Sequence, residues 1–158
     1  MAPDLLLTAF ALLASAAGLA ALAVRRVPEG RAYSVHRFGH FARSLGPGWH
    51  LVWPLVDRVA RRVDLVGHHI DLHYERERVA ADAAVYYQIL EPGRTGAALD
   101  DVDGVVQREA AEGFADLMPQ LLPGETGGGA VRLKEELNRR LGNLGLRVIR
   151  CQLHLPGI

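Results

Sequence analysis

A single cysteine, Cys151, stands in 158 residues, so an internal disulfide is excluded. Its neighbours alternate between apolar and polar, the pattern of a small buried hydrophobe in a strand rather than of a nucleophile. Aromatic residues make up only 6% of the chain, and the 18 Lys and Arg are matched by 18 Asp and Glu. No basic run is interleaved with aromatics, so a nucleic-acid partner is not expected. Ser34 and Ser44 lack a Gly-x-Ser-x-Gly context. Gly127, Gly128 and Gly129 lack the Lys-Ser/Thr that would complete a phosphate-binding loop. Seven histidines invite a metal, and His69, Asp71 and His73 would share one strand face. Alternate residues on a strand lie about 7 Å apart, too far for two to hold one ion without a bend. No catalytic residue, no metal and no cofactor is therefore expected.

What the chain does have is one long apolar run. Leu5 to Val24 is twenty residues without a charge, the length that crosses a hydrocarbon core of roughly 30 Å as a helix. A cleaved signal peptide is the rival reading, but the residues before the run hold Asp4 and no Lys or Arg. A retained anchor over residues 1–26 is expected, followed by one domain over residues 27–158. Arg25 and Arg26 follow the run, with Arg31 and Arg37 close behind. The bias of positive charge places the domain on the cytoplasmic side of a single-pass protein of the cell membrane. It also suits anionic lipid headgroups.

Val27 to Leu65 reads as strand, turn, aromatic corner, strand. Ala32 to Phe38 favours a strand and stops at Gly39; Gly46-Pro47-Gly48 is a second stop. Trp49, Leu51, Val52, Trp53 and Pro54 then crowd two large aromatics and a ring together. Val59 to Val66 resumes as a strand, with Val59, Val63 and Leu65 on one face and Arg62 and Asp64 on the other, Arg61 alone breaking the apolar face.

These residues resemble the stomatin, prohibitin and flotillin superfamily, also called SPFH or band 7. The resemblance is carried by Val27, Glu29 and Gly30 at the entry and by Arg37, Phe38, Gly39 and Phe41 at the first turn. Leu45, Pro47, Gly48, Trp49 and His50 match the corner, Pro54, Asp57, Arg58 and Val59 the step after it, and Arg62 to Leu65, including Asp64, the next strand. The likeness continues through the segment Asp82 to Pro92 and covers about residues 25–155.

Downstream, His68 to Glu75 reads as a strand, and Ala83 to Leu90 as a strand apolar on both faces and so central in a sheet. Asp101 is a candidate N-cap for a helix striped by Val102, Val105, Val106, Ala110, Phe114, Leu117 and Leu121, which Pro119 must kink or end. Pro123 to Gly129 reads as a flexible connection. Leu133, Leu137, Leu141 and Leu144 stripe a second helix, stopped by Gly142 or Gly145. Leu146 to Leu155 returns as a strand, with Ile149, Cys151, Leu153 and Leu155 alternating against Arg150, Gln152 and His154.

The resemblance implies an α+β domain with a bent, mostly antiparallel sheet and packed helices, behind one N-terminal transmembrane helix. It implies a scaffold without catalysis, whose copies associate and organise a membrane patch or recruit membrane proteins such as a protease or channel. The partners implied are membrane lipids and a homo-oligomer, or a hetero-oligomer with a longer SPFH protein. A regulatory partner of a membrane-bound protease and a lipid-binding module are the alternatives. Two departures matter. Members usually carry about ten more residues in the hairpin around Tyr74 to Ala81, which bears on any partner that binds that edge. Members also continue into a long charged helix that drives assembly, whereas the given chain stops at Ile158, so assembly is expected to use the domain and the membrane segment. For Trp49 and Trp53 there are two readings. They pack a core, or with Arg25, Arg26, Leu51, Pro54 and Leu55 they meet the lipid interface, where an apolar ring with a polar N–H is favoured.

Overall fold

The computed structural model describes residues 2–76, 79–120 and 126–154. Ala2–Ala23 form helix α1. Its side chains from Leu6 to Leu22 are exposed, and only Ala23 at its end is buried. Leu6–Ala23 is long and apolar enough to cross a membrane. Neither of the two apolar cores described below draws on α1, so the rest of the chain is packed without it.

Among the described residues eight strands follow: β1 (Val24–Val27), β2 (Arg31–Arg37), β3 (His40–Leu45), β4 (Gly48–Leu51), β5 (Asp57–Asp64), β6 (His68–Arg76), β7 (Val79–Ile89) and β8 (Leu146–His154). The helices are α2 (Pro92–Thr95), α3 (Val102–Leu117) and α4 (Thr126–Leu141), with 3-10 turns at Gly96–Asp101, Met118–Gln120 and Gly142–Leu144. Every described strand pair is antiparallel. The bent sheet expected from the sequence is divided into three hydrogen-bonded pieces, β1-β4, β3-β2-β5 and β6-β7-β8. Leu65 is where the chain passes between the last two. Its N–H donates to Gly30 O and its carbonyl accepts from Ile89 N–H, both at 2.8 Å.

The larger core lies between the β6-β7-β8 sheet and helices α3 and α4. Leu72, Val85, Tyr87 and Val148 meet Val106, Phe114, Leu133, Leu137 and Leu141 there. The leucine stripe of α4 and the valine stripe of α3 are thus used as their spacing predicts. A smaller core of Val27, Val35, Leu45 and Val52, with Tyr33 and Val59 against it, fills the space between β1-β4 and the β2 sheet. Helix α4 ends at Leu141, and Gly145 then takes a left-handed φ of 71°, the expected stop.

Four expectations change. Val59 and Val63 do not share a face. Val35 pairs with Val59 but Ser34 with Arg61, so Ala60 is an extra residue that shifts the alternation. Val59 therefore enters the small core and Val63 the large one, while exposed Arg61, opposite Ser34, keeps the face of Val63 and Leu65 and does interrupt it. The same happens on β8. Tyr86 pairs with Arg150 and Tyr87 with Val148, so Ile149 is bulged out and exposed while Val148 is buried. β7 is central as expected, but only one of its faces is covered; Asp82 and Tyr86 lie exposed on the other. An antiparallel sheet tolerates one solvated face. Thr126 to Gly129 belong to α4 rather than to a connection, because Ala130, Arg132, Leu133, Lys134, Glu135 and Glu136, all of high helix propensity, carry the first turn along. Leu121, Leu155 and residues 123–125 lie outside the described residues. Asp101 does precede α3, but its side chain makes no capping hydrogen bond.

Candidate functional site

The part of the molecule nearest α1 is built from β1, β4 and the loop that follows β4. β1 continues directly from the helix and pairs with β4 in the register Val24 to Leu51 and Arg26 to Trp49. The backbone of Val52 then closes on the helix itself, its N–H donating to Ala23 O at 2.7 Å. The loop Trp53 to Val56 is consequently held at the level where α1 ends. It turns back through two hydrogen bonds to Trp53 O, from Val56 N–H (3.2 Å) and Asp57 N–H (2.8 Å). Proline at position 54 suits such a turn because it fixes φ and has no N–H to satisfy.

The side chains this corner presents are apolar and uncovered. Trp49 is 71% exposed, Trp53 59% and Leu55 88%, with Leu51 and Val24 also exposed. Core packing, the first of the two readings for the tryptophans, therefore accounts for neither. The guanidinium of Arg26 lies 5.7 Å from the centre of the Trp49 ring, a cation–π arrangement. Arg25 and Arg26 are exposed and make no ion pair among the described residues. Arg31 and Arg37 differ, being paired with Asp64 at 3.0 Å and Asp57 at 2.8 Å. The positive charge available beside the helix is thus that of Arg25 and Arg26.

Asp57 organises the corner. Its side chain is fully buried and receives Arg37 Nε at 2.8 Å, the Trp53 N–H at 3.3 Å and Arg43 at 3.5 Å. The Arg37 hydrogen bond holds its carboxyl below the usual carboxylate range. Arg43 also donates to Leu51 O, so strands β3, β4 and β5 meet at one carboxylate. The neighbouring turn is drawn in as well. Arg37 pairs with both His40 and Asp57, which sets the hairpin tip Phe38-Gly39 beside the Trp53 to Val56 loop. Phe38 has φ of 52° and Gly39 of 86°, the two positive values that a two-residue hairpin needs. Phe38 is 80% exposed. A bulky non-glycine residue held at positive φ and left in the open is a residue whose exposure the sequence did not suggest.

The other motif residues are scaffolding. Gly30 has φ of 78° in the turn between β1 and β2 beside Glu29, and Gly48 has φ of 126° after Pro47. His50 Nε2 reaches Gly46 O at 2.8 Å and closes the corner around Pro47. Arg58 is exposed. His69, Asp71 and His73 do share the outer face of β6, and no group of three ligands suited to a metal is formed among the described residues. His73 instead meets Asp82 at 2.5 Å, and that hydrogen bond raises its pKa. Burial raises the Cys151 thiol to about 11, as a structural cysteine requires.

An exposed apolar helix, tied by a backbone hydrogen bond to an α+β domain with an uncovered aromatic corner, defines a membrane-associated protein. A family model, the SPFH domain / Band 7 family, matches residues 25–156. The chain belongs to the SPFH/band 7 family.

Proposed function

We propose that this protein is a single-pass scaffold of the cell membrane. α1 crosses the bilayer, the corner of Trp49, Leu51, Trp53, Pro54 and Leu55 lies in the headgroup region, and Arg25 and Arg26 meet anionic lipid. The cytoplasmic side is favoured for the domain because those two arginines are the uncommitted positive charge next to the helix. Copies associate laterally, and the patch so formed recruits or restrains membrane proteins, a protease or a channel among the candidates. The work is binding, without a covalent step.

The observation that carries the membrane part is the bond from Val52 N–H to Ala23 O, which fixes the aromatic corner at the end of the helix. The test is whether the domain without residues 1–22 still sediments with vesicles containing anionic lipid, and does so less well as salt rises. A domain that stays in the supernatant at every lipid concentration would remove the second contact and leave α1 as a plain tether.

A further inference from the structure

We propose that β6 is the interface between copies, pairing antiparallel with β6 of a second molecule about a two-fold axis at Leu72 to join two sheets into one of six strands. The proposal deepens the self-association proposed above and rests on it. Among the described residues β6 ends its sheet, with β7 as its one neighbour. Among the described residues no backbone hydrogen bond reaches its outer edge. Residues 68 to 76 contain neither the proline nor the glycine that commonly blunts an edge.

The sequence of the strand supplies the occupant. Read outward from Leu72, HHIDLHYER places Asp71 opposite His73 of the second copy and His69 opposite Glu75. By symmetry each contact occurs twice. All four positions lie on the outer, exposed face, where β7 presents Ala84 beside Asp71 and Asp82 beside His73. On the inner face Ile70 meets Tyr74 and Leu72 meets itself, so apolar faces apolar. An edge defended by charge repels its own copy, because like positions carry like charge. Here imidazole and carboxylate exchange places about the centre, so antiparallel reversal sets each carboxylate, Asp71 and Glu75, against an imidazole of the second copy and turns repulsion into hydrogen-bonding attraction. His73 is held toward its charged form by the hydrogen bond to Asp82, which strengthens its contact with an opposing Asp71. The end pair, His68 opposite Arg76, adds no attraction, and His68 is already engaged with Asp103 and with Asp64 O.

The test uses the full chain in mild detergent, with two variants, His69→Cys and Glu75→Cys, each also carrying Cys151→Ala. Antiparallel partners have Cα atoms about 4.5–5.5 Å apart, within reach of a disulfide. In the proposed register position 69 faces position 75, whereas two copies of position 69 are roughly 20 Å apart. Under mild oxidation the mixture is expected to give a linked dimer on a non-reducing gel and each variant alone to give almost none. The native mass of the unsubstituted protein is measured beside it. An oligomer without linkage in the mixture, or with equal linkage of each variant alone, overturns the β6 interface and leaves self-association standing. A monomeric mass at all concentrations overturns both.

Discussion

Replacing Trp53 and Leu55 together by serine, in the domain lacking residues 1–22, should weaken its partition onto anionic vesicles roughly 25-fold. Complete burial of a leucine or aromatic side chain is worth about 1.5–3 kcal/mol. Leu55 has 88% of its surface still to cover and Trp53 59%. An interface that covers about half of what is open gives about 1 kcal/mol for each, and about 2 kcal/mol for the pair. At 1.4 kcal/mol per factor of ten, that is the stated change. Both side chains stand clear of the two cores, so the fold itself should lose little. The assay is sedimentation across a lipid titration, with Val66→Ser as the control. Val66 is also exposed, but it lies beyond the far end of β5, roughly 25–30 Å along the strand from Asp57. The reasoning is refuted if the double variant partitions within a factor of two of the original, or if Val66→Ser costs as much.

Other substitutions test the frame behind the corner. Asp57→Asn should cost about 2 kcal/mol, the scale for breaking a buried hydrogen-bonded carboxylate, and lower the melting temperature by roughly 4–8 °C in calorimetry. Because the folded pKa of Asp57 is lowered, its contribution is fully present above the unfolded value near 4 and is lost as pH falls below it. Thermal melts of the original protein should therefore drop between pH 5 and pH 3 more steeply than those of Asp57→Asn. Gly145→Ala should destabilise by about 2 kcal/mol or more, since an L residue there is strained at φ of 71° and its Cβ would fall 2.6 Å from Glu91 O; urea denaturation measures it. Cys151, with its pKa near 11, should react with a thiol reagent at pH 8 far more slowly than an unfolded control.

The periodic parts of this fold were legible because burial and period agree. Leu133, Leu137 and Leu141 recur every fourth residue and are all buried, so stripe and core are the same statement. What escaped was the phase. One extra residue at Ala60 and another at Ile149 each turn the following side chains to the other face, and nothing in the local composition marks a bulge. Thr126 to Gly129 were misread for a different reason. Glycine disfavours a helix by about 1 kcal/mol per residue, yet the turn is extended from a strong segment with Leu133 and Leu137 locked into the core. At the candidate site, residue types singled out Trp53 and Leu55, which the structure leaves exposed, but Phe38 could be placed beside them only once the pairing of Arg37 with Asp57 was known.

That pairing also explains why an exposed aromatic corner should contain a buried charge. A loop that leaves Trp53 and Leu55 exposed, as the proposed lipid contact requires, gains nothing from its own packing, since those side chains point away from the protein. It must be held by its backbone, and three polar groups of the loop and of Val52 just before it are held here. Trp53 N–H donates to Asp57, Trp53 O accepts from Asp57 N–H, and Val52 N–H donates to the end of α1. Asp57 is in turn fixed by Arg37 and Arg43, which belong to the strands on either side of the Phe38 turn. The carboxylate thus joins the hairpin tip, the aromatic loop and, through Val52, the helix into one unit. Without it, Leu55 and Trp53 would still be apolar, but each would have to be ordered again on the bilayer, and the ordering entropy of the loop would be subtracted from the lipid contact. Asp57→Asn should accordingly weaken vesicle binding of the domain even though Asp57 itself touches no lipid. Equal binding by that variant at a temperature where it remains folded would show that the corner needs no such support.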